Sequence, residues 1–164
     1  MTQQEYEDKI KELQDELEKL KAAKIEAEQP KRWKPEPSKR YWSVTGEGQI
    51  FETVWDDDIL DVCNYLIGNC FKTKEEAEEY KKQIEYTARY KNYIEEHSEP
   101  INWKDFEQEK YFAEFNCEFD KIDVDSCCYL KSQGAIYASS EQIIWDAIKE
   151  IGEDNFKKYV LGVK

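Results

Sequence analysis

Two stretches of the chain follow one plan, and that constrains the fold more than any single residue. The first runs from Tyr65 and Leu66 through Gly68, Asn69, Cys70 and Phe71 to Thr73 and Glu76. The second runs from Tyr129 and Leu130 through Gly134, Ala135, Ile136 and Tyr137 to Ser139 and Gln142. Each places a glycine before a short apolar strand, then a hydroxyl residue that opens a helical pattern. Thr73 with Glu76 and Ser139 with Gln142 both have the capping-box spacing, in which the two side chains satisfy orphan N–H groups reciprocally. The spacing predicts a duplicated strand–strand–helix unit. The expected fold is α+β, with two such units forming an antiparallel sheet, helices packed on it, and a coiled-coil helix in front.

The 164 residues suffice for one core plus an appendage. Five Trp, eleven Tyr and seven Phe argue for an ordered interior. The formal charge of −13 is unevenly spread: residues 1–29 hold nine acids against five bases, whereas residues 30–41 hold one acid against five bases. An acidic body repels phosphates and anionic lipid, so direct DNA binding and membrane association are not expected. No segment has the length and apolarity of a membrane span or signal-peptide core, which leads to an expected location in the cytoplasm. Five cysteines without a Cys-x-x-Cys pair favour buried, inert thiols over a disulfide framework or zinc site.

Along the chain, residues 1–29 read as an oligomerisation helix. Tyr6, Ile10, Leu13, Leu17 and Leu20 step by four and three, the a/d pattern of a coiled coil, which points to a homo-oligomer. Residues 30–40 form a basic linker broken by Pro30, Pro35 and Pro37. An α+β domain follows over 41–164, with repeat-like units at 41–97 and 110–164. In the first unit, strands around Tyr41–Thr45 and Gln49–Trp55 flank Gly46-Glu47-Gly48, a hairpin signal. Asp56, Asp57 and Asp58 then open a short helix, where acids suit the cap and the helix dipole. A long helix spans 74–97, and His97 near its end suits the negative pole. In the second unit, strands over 111–115 and 121–125 are followed by a short strand near 135–138 and a helix from 140 to 151.

On the long helix, Ala77, Tyr80, Ile84, Ala88 and Ile94 share one side at helical spacing, the expected core face. Tyr86, Tyr90 and Tyr93 fall on the opposite side at i, i+4 and i+7. That second stripe needs its own cover, either another part of the chain, a partner, or a stacked base. With Trp42, Trp55, Asp56, Asp57 and Asp58 it makes up the candidate binding surface. No phosphate-binding loop, serine elbow or metal-ligand spacing occurs, so neither an enzyme nor a cofactor or metal is expected.

Several motifs carry a resemblance. The charged N-terminal helix, the Trp-containing linker, Tyr41-Trp42, the run Gly68–Glu78 and the closing Glu150–Tyr159 are together similar to a family of small proteins carried by phages and prophages of Firmicutes. The resemblance spans the chain from end to end. It implies an accessory viral protein made in the host bacterial cytoplasm, of a kind that antagonises host defence or host machinery. The leading expectation is therefore a non-enzymatic effector that binds and inhibits a host protein, such as a nucleic-acid-binding defence protein, by acidic mimicry. Two alternatives stay open: sequestration of a nucleotide defence signal in an aromatic pocket, and a structural or assembly role in the phage.

Overall fold

The computed structural model describes residues 9–19 and 32–163. The chain divides into two compact units, Met1–Pro35 and Glu36–Lys164. In the first, residues 9–19 form helix α1. Ile10, Leu13 and Leu17 are each about half exposed along one side of it. Tyr6 and Leu20, the outer members of the expected heptad seam, lie outside the described residues.

The second unit opens with an antiparallel hairpin of β1 (Arg40–Val44) and β2 (Ile50–Val54). Thr45 and Gln49 close the turn through a 2.8 Å backbone bond, and Gly48 takes φ 76°, a region that other residues seldom enter. Helix α2 (Ile59–Ile67) follows, then a single return at Phe71. Phe71 pairs with Trp42 of β1 through two backbone bonds of 2.9 Å. Helix α3 (Lys74–His97) leads to a second antiparallel hairpin, β3 (Lys110–Asn116) and β4 (Lys121–Cys127). Strand β5 (Tyr137–Ala138) pairs antiparallel with β3. Helix α4 (Glu141–Ile151), the short α5 (Glu153–Asn155) and a π-helical turn at Phe156–Val160 complete the described chain.

The mixed helices and antiparallel sheets make the domain α+β. The first strand of each hairpin also receives a return segment that precedes a helix, Phe71 on β1 before α3 and β5 on β3 before α4. The expected single sheet does not form. There are two sheets, β1–β2 and β4–β3–β5. The reason is that β1 and β3 each already have neighbours on both sides, while α3 packs against the first hairpin and also against α4 and the π-helical turn.

The main core is built from Tyr90, Ile94, Ile122, Ala138, Ile144, Ala147, Ile148, Ile151 and Phe156. This corrects the expected faces of α3. Tyr90 is buried, and its ring meets Phe156 edge-on at 4.8 Å. Tyr86 stacks on Tyr159 at 5.0 Å, while Tyr93 is half-buried against the core and stacks on His97 at 4.1 Å. Ile84 and Ala88, expected inside, are exposed. A 24-residue helix outruns either packing partner, so the buried side changes along it. Ala77 and Tyr80 serve the first hairpin, with Tyr80 4.9 Å from Phe71. From Tyr86 onward the inward side faces α4 and the C-terminal segment.

Among the described residues the Tyr90 hydroxyl finds no hydrogen-bond partner, and burial pushes its phenol well above the ordinary range. Tyr90→Phe is therefore expected to leave stability unchanged or raise it by up to about 1 kcal/mol. A lower urea midpoint for the variant would show that the hydroxyl is paired.

The helix caps divide. Thr73 Oγ1 accepts from Glu76 N at 3.2 Å, and Glu76 Oε2 accepts from Lys72 N at 2.8 Å, one residue short of the full capping box. Ser139 does not cap α4; Ser140 occupies that position without a side-chain bond. Ser139 instead accepts from Glu99 N at 3.0 Å, and its own N–H donates to Ser98 Oγ at 2.8 Å. It thereby fastens the end of α3 to the end of β5.

Lys110 is fully buried, which nothing in the sequence signals. Its ammonium donates to the carbonyls of Asp105, Gln108 and Cys128 at 2.8, 2.6 and 2.8 Å, and lies 5.7 Å from the centre of the Trp103 ring. One side chain thus ties the loop before β3 to the end of β4.

The cysteines also differ from expectation. Cys63 and Cys117 are exposed, and Cys70, Cys127 and Cys128 are half-buried. They sit on α2 and in loops or strand ends, away from the main core. Among the described residues, no group of three His, Cys, Asp or Glu side chains is placed to hold a metal, and no helix is long and apolar enough to cross a membrane.

Candidate functional site

Helix α2 is built inside out. Asp58 caps its start by accepting from Asp61 N at 2.8 Å, and Gly68 ends it in the left-handed region at φ 90°. Between these caps the buried side is polar. Asp61 is 4% exposed and accepts from the Tyr41 hydroxyl at 2.7 Å and from Asp56 N at 2.7 Å. Asn64 donates to the Tyr41 oxygen at 3.3 Å, and Asn69 donates to Asn64 Oδ1 at 3.0 Å. Asn69 also clamps the end of β1, accepting from Val44 N and donating to Val44 O. Burial, with the Asp61 carboxylate alongside, pushes the Tyr41 phenol above its usual range, so it stays a donor at neutral pH.

The apolar side chains of α2 point the other way. Ile59, Leu60, Leu66 and Ile67 are 78, 68, 71 and 68% exposed. Phe51 and Val54 on β2 and Ile84 on α3 are also exposed. Between β2, α2 and α3 these elements form a groove of about 550 Å³, lined by Phe51, Val54, Leu60, Ile67, Tyr80 and Ile84. Asp56, Asp58 and Asp61 also line it, and none of its lining residues among those described is Lys or Arg. A wider depression of about 950 Å³ lies between the first turns of α3 and the C-terminal segment. Its lysines are already engaged, Lys157 with Asp120 at 3.3 Å and Lys158 with Glu79 at 2.7 Å.

The residues expected to form one binding surface are dispersed. Trp55 is buried, packing 5.9 Å from Tyr41 and donating from Nε1 to Asp57 at 2.8 Å. Trp42 is half-buried and paired with Phe71. Tyr86, Tyr90 and Tyr93 are used internally, as described above. Only Asp56, Asp57 and Asp58 lie at the surface as expected, and each has a local structural role. Asp57 holds the turn with φ 56°.

The apolar face of α2 was missed because a short apolar run between acids reads as core. Asp61 and Asn64 are i and i+3 and share one face of α2, which in the sequence reads as the solvent side.

Chemically, the polar groups under the groove are bonded to one another, and the open surface is hydrocarbon edged by carboxylates. That arrangement can seat apolar side chains. No protein-family model, curated protein or solved structure matches the chain.

Proposed function

We propose that this protein is a non-enzymatic binding protein that docks onto another protein through the outward face of α2 and the adjoining groove. In line with the phage resemblance, the docked partner is a host protein whose activity is thereby inhibited, in the cytoplasm of the bacterium. The observation that carries this reading is the inverted helix. Asp61, Asn64 and Asn69 hold α2 to the domain, so Ile59, Leu60, Leu66 and Ile67 are not needed to keep it in place. With Phe51, Val54, Val62 and Ile84 they make eight exposed apolar side chains on α2, β2 and α3. Large exposed apolar patches on proteins of this kind mark interaction sites.

Acidic imitation of a nucleic acid is a weaker basis for inhibition. On α3, Glu78, Glu79, Glu85 and Glu95 each have a lysine about one turn away, which breaks any continuous phosphate-like row. A nucleotide in the groove would meet aspartates rather than cations. The half-exposed stripe of Ile10, Leu13 and Leu17 on α1 fits pairing of copies, which would present two docking faces and add avidity.

The test substitutes Leu66→Lys. An exposed change of this kind is expected to move stability by no more than about 0.5 kcal/mol in urea. The wild-type chain should retain one dominant host protein in affinity capture, and Leu66→Lys should lose it. Identical capture by both proteins would sink the reading.

A further inference from the structure

Resting on the docking reading above, we infer that the segment seated in the groove is an apolar stretch of a partner protein flanked by lysine or arginine, and not a second copy of this chain. The argument is charge complementarity around an apolar seat. Phe51, Val54, Leu60, Ile67 and Ile84 give the groove hydrocarbon walls with room for large side chains. At its edge stand Asp56 and Asp58, with Asp57 exposed between them, and among the described residues no Lys or Arg lines it.

In a two-fold pairing through this face residue i meets residue j of the other copy, so each copy could offer the other's aspartates only the same apolar walls and acidic rim, with no Lys or Arg among the described lining residues to meet them. Like charges brought into contact as water leaves are strongly unfavourable, and they select against that pairing. A duplex or an anionic bilayer is rejected on the same ground. Flanking cations on a partner reverse the sign: they would meet the aspartates at the rim, where they speed association and set register, while the apolar anchor supplies the affinity. An amphipathic helix laid in a groove is the commonest way to present such anchors.

The probe is a synthetic helical peptide with leucines at i, i+3, i+4 and i+7 and lysines elsewhere. Two controls replace either the lysines with glutamates or the leucines with alanines. Binding to the full chain is measured by fluorescence anisotropy at low and high salt, with amide shifts recorded at Leu60, Ile67 and Ile84. The Leu/Lys peptide should bind at least about tenfold more tightly than either control, weaken with salt, and shift those three residues. Asp56→Asn with Asp58→Asn should weaken it about fivefold while keeping the cap, since Asn caps as well as Asp.

Equal binding of the Lys and Glu peptides in the groove would overturn the charge inference and leave the docking reading intact. Tight binding of the Ala control, with shifts elsewhere on the acidic surface, would overturn it as diffuse attraction. An oligomer that Leu66→Lys dissociates in sedimentation would overturn it in favour of a second copy. Failure of every peptide to shift the groove would overturn it too, and with unchanged capture by Leu66→Lys would remove the docking reading as well.

Discussion

Replacing Lys110 with methionine is expected to lower the free energy of unfolding by about 3 kcal/mol. Methionine keeps most of the stem and its packing, so the loss isolates the ammonium. Three carbonyls, those of Asp105, Gln108 and Cys128, then lose their common donor, whose own side chain is closed to solvent. A buried acceptor left unpaired costs about 1–3 kcal/mol; the sum over three is reduced because these bonds are only partly buried and because the variant no longer has to desolvate a cation. Partial opening of the 103–109 loop would let water reach the carbonyls and hold the loss near the lower end. Arginine should not rescue, because its planar fork does not match three acceptors converging on one nitrogen. Urea denaturation reads the free energy, and hydrogen exchange should show faster opening around residues 103–110 with α2 unaffected. A loss below about 1 kcal/mol would mean that the caged ammonium contributes little net stability.

Asp61→Ala should cost a similar amount, about 3 kcal/mol, but the damage should appear at α2. The carboxylate receives the Tyr41 hydroxyl and the Asp56 N–H, both at 2.7 Å. Truncation strands both donors beneath the helix. The polar contacts of α2 are concentrated here and much of its apolar side faces water, so apart from the edge-on packing of Tyr65 against Trp55 at 6.3 Å these bonds are its main hold. Hydrogen exchange over residues 59–67 should accelerate strongly, and the groove should lose peptide binding although Leu60 and Ile67 are unchanged. Asp61→Asn keeps an acceptor and the shape, so a loss of about 1–2 kcal/mol is expected, with binding partly retained. Intact protection of α2 in the alanine variant would refute the polar anchoring of this helix.

These two residues also mark where the sequence stops being informative. Lys110 sits in a strand pattern as one lysine among many. Its burial depends on carbonyls from the loop before it and from Cys128, eighteen positions on. Asp61 reads as a first-turn acid suited to the helix dipole, and it lies just inside a capped start. That it faces inward depends on Tyr41, twenty residues upstream.

Sequence alone determined the local elements: the hairpin at Gly46-Glu47-Gly48, the Thr73 cap, the long helix ending at His97, and the repeated order of hairpin, return and helix. Those follow from short-range causes, namely which residues accept a left-handed turn, which can cap, and where apolar spacing changes period. The tertiary structure decided which face of each helix is inside, whether the strands make one sheet or two, and which apolar residues stay in water. On α3 the tyrosines went inward and Ile84 outward; on α2 a carboxylate went inward and leucines outward. The physical reason is that burial belongs to a pair of surfaces. A helix carrying two credible faces is turned by what packs against it, and that partner lies elsewhere in the chain.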